Sequence, residues 1–178
     1  QTIKDADGNF KYEKPIYVNQ RYPWQNYENV SLGANVTAPT VNNSVGQYKR
    51  TFTVPSDWDG RDVFVSFEGV ESAFYLYVNG QRVGYGEDSY TTDEFNITSY
   101  LKKGENTIAV EVYRWSTGSY LENQDFIRMS GIFRDVNLYS KAKVEMRDLF
   151  VKTDLDKNYK DATLTLDADI RNLGDDTA

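Results

Sequence analysis

The chain has 178 residues, 39% hydrophobic and 26% charged, which suits a globular domain with room for part of a second and excludes a disordered chain. Its net charge is −7 and no Lys/Arg run exceeds two residues, which argues against a nucleic-acid partner. With no cysteine and no histidine, disulfides, thiolate chemistry, the commonest general base and the commonest zinc ligand are all excluded, and chemistry is left to carboxylates, tyrosines and hydroxyls.

Residues 1–46 are rich in Asn, Tyr and Pro without sustained periodicity, and read as irregular. Tyr48, Arg50, Phe52 and Val54 then alternate with Gln47, Lys49, Thr51 and Thr53, the period of a half-buried strand, which Pro55 stops. Val63, Val65 and Phe67 repeat the pattern up to Gly69. Phe74, Leu76 and Val78 predict a third strand, and Asn79-Gly80, at ease with positive φ at both turn positions, predicts a tight hairpin returning through Val83 and Tyr85. Residues 93–103 have room for a short helical turn and no more. After the turn at Gly104-Glu105-Asn106, further strands are predicted around Ile108, Val110 and Val112, and around Val136 and Leu138. The last two run through Leu149 and Val151, and through Leu164, Leu166, Ala168 and Ile170.

Many short strands between turn signals predict an all-β sandwich or jelly roll. A polar, Lys-containing seam near residues 140–146 divides the chain into 1–143 and 144–178. Two strands cannot close a core, so the second part is expected to be the incomplete opening of another β-domain. No apolar run approaches the roughly 18 residues of a membrane span, and no signal-like h-region is present, so the compartment stays open.

Aromatic residues are 15% of the chain and fourteen are tyrosines, whose rings suit stacking on a sugar but are equally at home on β-surfaces; packing is the better reading of the residues alone. Sequons at Asn29, Asn35, Asn42 and Asn96 read as chance matches in a chain rich in Asn, Ser and Thr. The densest polar stretch spans residues 114–125. Its Glu122 and Asp125 read either as a glycosidase-type carboxylate pair or as loop acids accepting backbone N–H groups, and the residues alone leave both open.

The blocks Glu68-Gly69-Val70-Glu71-Ser72-Ala73-Phe74, Val78-Asn79-Gly80 and Val83-Gly84-Tyr85-Gly86-Glu87-Asp88-Ser89 resemble the amino-terminal domain of glycoside hydrolase family 2. So do Glu94-Phe95-Asn96-Ile97-Thr98-Ser99-Tyr100-Leu101 and residues 114–125. Arg128-Met129-Ser130-Gly131-Ile132-Phe133-Arg134-Asp135-Val136 and Pro15-Ile16-Tyr17-Val18-Asn19-Gln20-Arg21-Tyr22-Pro23 resemble its β-galactosidase branch. These ordered blocks spread over about residues 15–139.

The resemblance implies a galactose-binding-domain-like jelly roll over 1–143 and the first strands of an immunoglobulin-like sandwich over 144–178. It places the retaining chemistry, with both catalytic glutamates and the magnesium site, in a (β/α)₈ barrel of the whole polypeptide, so no catalytic residue is expected here and Glu122 is not the catalytic acid. It assigns galactoside contact to Asn19 and Asp125, with Asp125 also ligating sodium in the full-length parent; no cofactor is expected for this chain alone. Asn123 departs from the aspartate usual at its place, which is not a contacting position. A Leu-Asp-Gly-x-Trp strand and a Pro-Ser-x-Trp-Gln segment, with Gln1 at the place of the second one's last residue, belong upstream in the family, so the jelly roll is expected to lack one or two strands. The implied partners are galactosides, the catalytic barrel of the same polypeptide and further copies in a homo-oligomer. The alternatives are a stand-alone carbohydrate-binding module, or the same domain of a β-glucuronidase or β-mannosidase.

Overall fold

The structure, a computed structural model, describes residues 4–9, 16–18, 38–41, 43–122 and 126–174. In chain order the elements are β1 (Ile16–Val18), β2 (Val45–Thr53), a 3-10 turn (Ser56–Trp58), β3 (Asp62–Phe67), β4 (Val70–Glu71), β5 (Ala73–Val78), β6 (Gln81–Glu87) and β7 (Asp93–Asn96). A second 3-10 turn (Thr98–Tyr100), β8 (Glu105–Tyr113), α1 (Thr117–Leu121), β9 (Phe126–Arg128), β10 (Gly131–Ile132), β11 (Val136–Lys141), β12 (Val144–Leu155) and β13 (Ala162–Asn172) follow.

The sandwich forms because alternating apolar residues on neighbouring strands bury one face per sheet. One sheet has the order β11-β3-β7 and the other β2-β8-β5-β6, with antiparallel pairing throughout. Val65, Phe67, Phe74, Leu76, Val78 and Val112 meet between them, each 2% exposed or less. The rings of Phe67 and Phe74 lie 4.7 Å apart, and Phe95 sits edge-on to Phe74 at 5.9 Å. This all-β sandwich is the architecture that the strand pattern predicts.

Several local expectations are refined. β3 is buried at all six positions, not on one face. Its outward Phe64 is stacked on Tyr139 at 5.7 Å, with the Lys141 ammonium 4.6 Å from its ring. β2 forms, but the predicted half-burial holds only from Phe52 onward: Arg50 is exposed and Tyr48 is 43% exposed. The cause is its place at one edge of its sheet, beside a 620 Å³ hollow that Phe52, Ile108, Ile132, Val136 and Leu138 help to line.

Asn79 and Gly80 do take positive φ, 50° and 81°. Asn79 also donates to the Tyr100 carbonyl at 2.9 Å and accepts from the Thr107 N–H at 3.0 Å, so the hairpin turn is tied to its neighbour. The return strand carries a bulge. Leu76 faces Gly84 and Tyr77 faces Arg82, which leaves Val83 as the extra residue packed toward the core. Tyr85 instead joins Tyr75 on the outer face at 5.1 Å, so strict alternation fails to predict that Val83 and Tyr85 part company.

The short turn predicted within residues 93–103 is the 3-10 turn, but β7 precedes it, hidden by its polar Asp93, Glu94 and Asn96. β1 lies inside the stretch read as irregular, and three residues are too few to show a period. β12 and β13 pair with each other along their length. Their base is tied back to the sandwich by Lys143–Asp62 at 2.9 Å.

Candidate functional site

The site region is built where β8 leaves the sandwich and the chain turns through α1 toward β9. Ser72 donates from both its N–H and its Oγ to the Tyr113 carbonyl at 3.1 Å, fixing the end of β8. Asn43 then brackets the next step: its amide nitrogen donates to the Trp115 carbonyl and its amide oxygen accepts from the Trp115 N–H, both at 2.9 Å. Trp115 is 6% exposed.

α1 follows, entered through Ser116, whose N–H donates to Ser119 Oγ at 3.1 Å. Its first turn presents the Gly118 N–H and the Thr117 hydroxyl to one carboxylate, Glu87, which also accepts from the Tyr85 hydroxyl at 2.6 Å. Burial alone would raise the Glu87 pKa, but these donors outweigh it and hold the carboxyl below its ordinary value. An anion at a helix start is also favoured by the exposed N–H groups there.

Glu122 ends this segment, and its carboxylate is fully engaged in holding the loop. One oxygen accepts from the Ser89 N–H at 3.0 Å and the other from the Ser89 hydroxyl at 2.7 Å. For Glu122 that arrangement is the structural role open to the loop acids; Asp125 lies outside the described residues. Beneath it lie Glu71 and Arg128, each 1% exposed and paired at 3.3 Å. Arg128 also donates to the carbonyls of Ser119 at 3.2 Å and Glu122 at 3.1 Å. The other oxygen of Glu71 accepts from the N–H groups of Met129 at 2.7 Å and Ser130 at 2.9 Å. Sequence reading did not single out this pair. The available signal was an acid and an arginine set among apolar and small residues, in strands too short for alternation to reveal.

Asn19 and Asp125 both lie outside the described residues. Their covalent neighbours do not. β1 and β9 pair antiparallel in the register Ile16↔Arg128, Tyr17↔Ile127, Val18↔Phe126. The residue after Val18 is Asn19 and the residue before Phe126 is Asp125. Segments more than a hundred residues apart in sequence are thus joined at the positions bordering both assigned sugar contacts. Of the four sequons, Asn96 is described: its side-chain oxygen accepts from the Thr98 N–H at 3.0 Å and caps a turn. Asn29, Asn35 and Asn42 lie outside the described residues.

Among the described residues, no group of three or more His, Cys, Asp or Glu side chains is placed to hold a metal ion. No described helix is long and apolar enough to cross a membrane.

Residues 4–142 match the family model described as the sugar binding domain of glycosyl hydrolases family 2. The chain belongs to that family. It is 58% identical over 161 residues to a β-galactosidase of Priestia megaterium, a match covering 90% of this chain and 15% of that protein. It is 44% identical over 166 residues to a β-galactosidase of Clostridium acetobutylicum, covering 92% of this chain and 18% of that protein. The chain therefore spans less than a fifth of the length of these curated relatives. Among solved structures, a β-glucuronidase of Bacteroides uniformis superposes with a TM-score of 0.65 at 27% identity, covering 73% of this chain and 16% of that one. A β-glycosidase of Bacteroides vulgatus gives 0.60 at 29% identity, covering 72% and 16%. In this family domain, the sandwich carries the loop of Glu122 and the β1–β9 ladder on one scaffold.

Proposed function

We propose that this chain is the sugar-binding domain of a retaining β-galactosidase, and that in the whole protein it shapes the pocket for a terminal β-D-galactoside. The observation that carries the reading is the 58% identity over 161 residues to the Priestia megaterium β-galactosidase. Residues 1–143 are the sugar-binding jelly roll in this reading, and 144–178 belong to an immunoglobulin-like sandwich. The catalytic glutamates and magnesium site belong to a barrel of the whole protein, which acts as a homo-oligomer. Asn19 and Asp125 contact the sugar: an amide both donates to and accepts from hydroxyls, and an ionised carboxylate accepts strongly. Asp125 is also assigned a sodium ion, a hard cation suited to oxygen donors, with its other ligands outside this chain.

A second reading has the Bacteroides uniformis β-glucuronidase in its favour, at 27% identity. Assay of the full-length protein on chromogenic β-galactoside and β-glucuronide separates the two. The galactoside is expected to be cleaved by far the faster, and a preference for the glucuronide overturns the reading. In that protein, Asp125→Ala should lower kcat/KM about 30- to 1000-fold, for a loss on the order of 2–4 kcal/mol, and Asn19→Ala about tenfold. Glu122→Gln should cost least; if it abolishes kcat while Asp125→Ala does not, the residue assignment is wrong. This chain alone should leave a galactoside at the buffer rate and bind galactose more weakly than about 10 mM. Micromolar binding would favour a stand-alone carbohydrate-binding module.

A further inference from the structure

We propose that Glu71 and Arg128 are positioning residues for the sugar pocket: a buried clamp that fixes the backbone at the end of α1 and at the turn after β9. The proposal rests on the reading that this domain shapes a galactoside pocket.

Sealing a carboxylate and a guanidinium inside a sandwich is a poor way to stabilise it, because desolvation offsets most of their attraction, and apolar residues of similar volume often do as well. What apolar residues cannot supply is direction. The planar guanidinium spans three acceptors at once: Glu71 at 3.3 Å and the carbonyls of Ser119 at 3.2 Å and Glu122 at 3.1 Å. Those carbonyls belong to the last turn of a five-residue helix, where backbone acceptors have no partner of their own along the helix. Glu71 completes the clamp from the other side through the N–H groups of Met129 and Ser130, at 2.7 and 2.9 Å. Ser130 has φ 57° and Gly131 φ 84°, so this turn departs from extended geometry just where the carboxylate holds it.

Glu122 is consequently fixed at three atoms, its carbonyl by Arg128 and both carboxylate oxygens by Ser89. In sequence, Asp125 falls between the two gripped points, and Arg128 itself pairs with Ile16 in the ladder that borders Asn19. One ion pair thus holds described backbone on either side of Asp125 in sequence, at Glu122 and at Met129, and its arginine stands opposite Ile16, three residues before Asn19. A site that must hold hydroxyls in place needs such support, because a small displacement of its contacts is felt in affinity.

The test compares R128K, R128M and the double variant E71Q/R128M in the full-length enzyme by KM, kcat and Tm. R128K keeps a charge opposite Glu71, but one ammonium cannot reproduce the fork onto two carbonyls. We expect Tm near wild type and KM for a chromogenic β-galactoside raised about tenfold or more. R128M strands a buried carboxylate and should lower Tm. E71Q/R128M removes that uncompensated charge and should regain most of the Tm while KM stays raised. If Tm and the active fraction fall but the KM of the active enzyme stays at the wild-type value in R128K and in the double variant, the clamp is merely structural and the proposal is overturned. If wild-type enzyme fails to cleave β-galactosides, the functional reading fails instead, and the clamp is read directly on this chain. Amide exchange at residues 119–122 and 127–130 should then rise at least about tenfold in R128K while β5 and β8 are unchanged, and unchanged rates throughout overturn it.

Discussion

The sandwich and the β12–β13 hairpin are written in the same alternating code and end in opposite environments. Leu76 in β5 is 0% exposed, whereas Leu166 in β13 is 57% exposed. In the hairpin, Met146 faces Ile170, Leu149 faces Ala168 and Val151 faces Leu166, so one side is an apolar stripe. The other side pairs Glu145 with Arg171 and Lys152 with Thr165. Alternation decides which residues share a face. It does not decide what that face meets, which depends on a second sheet lying opposite.

The largest test of this contrast is a matched truncation. Leu76→Ala should cost about 3–5 kcal/mol, because it removes buried methyl groups and leaves a cavity that the surrounding rings cannot fill. Leu166→Ala should change stability by less than about 0.5 kcal/mol, as for an exposed surface position. Urea unfolding of this chain measures both. A loss at Leu166 approaching that at Leu76 would mean that the apolar stripe is covered in solution.

A smaller effect of opposite kind comes from adding volume. A Cβ at Gly86 would collide with the Phe74 ring and lie 2.5 Å from an Asp93 carboxylate oxygen. Gly86→Ala should therefore cost about 1–3 kcal/mol by overpacking. Ala168→Val on the open face of the hairpin should be neutral or slightly stabilising, since a branched residue suits an exposed strand with room around it. Thermal unfolding of both variants checks the pair, and a tolerated Gly86→Ala would show that the sandwich is looser than its contacts indicate.

How much was legible follows from the same physics. The long strands announce themselves because five or more residues of period two outweigh noise: β5, β8 and β13 are read from Phe74, Val110 and Leu166 and their neighbours. β1, β4, β9 and β10 have two or three residues each, too short for a period, and they border the site. The bulge at Val83 is equally silent, since nothing local marks the skipped residue. The family blocks identified the family; the sugar contacts they imply, Asn19 and Asp125, lie outside the described residues. The buried Glu71–Arg128 pair needed three dimensions, because its partners are backbone carbonyls and N–H groups that a sequence does not display.

The next prediction turns on charge near the core. Burial, reinforced by the Asp88 carboxylate, pushes Asp93 from 3.8 up to about 6. The folded state then holds this proton more tightly than the unfolded chain does. The associated stability is present below about pH 4 and is lost as pH rises through about 6. Asp93→Asn removes the ionisation and should raise stability at pH 8 by roughly 1 kcal/mol, a figure reduced for solvent screening of a side chain only half-buried. At pH 4 the variant should show little or no gain. A pH-independent difference in Tm would mean that shape rather than charge governs this position. No change in the hairpin's amide exchange should accompany either case, because Asp93 lies in β7, within the sandwich.

The smallest expected effect lies where the two regions meet. Lys143 contacts Asp62 at 2.9 Å, but its side chain is 45% exposed while Asp62 is 8% exposed. An ion pair open to solvent on one side contributes on the order of 0–1 kcal/mol, so Lys143→Ala should barely move the unfolding midpoint. Its consequence should instead be local. The hairpin has no packed layer on its apolar face among the described residues, so its base is held through a few polar groups, including Lys143 on Asp62 and Lys141 of β11 on Glu145 at 3.8 Å. The Thr98 hydroxyl lies 3.3 Å from Asp62 but has its shorter acceptor in Asn96 Oδ1 at 2.6 Å, so Lys143 is the main charged partner of this carboxylate. Hydrogen exchange of this chain should therefore show faster opening of β12 and β13 in Lys143→Ala with β3 unchanged. Matching protection in variant and wild type would mean that the hairpin is anchored by its own backbone ladder, and that the junction charges are bystanders.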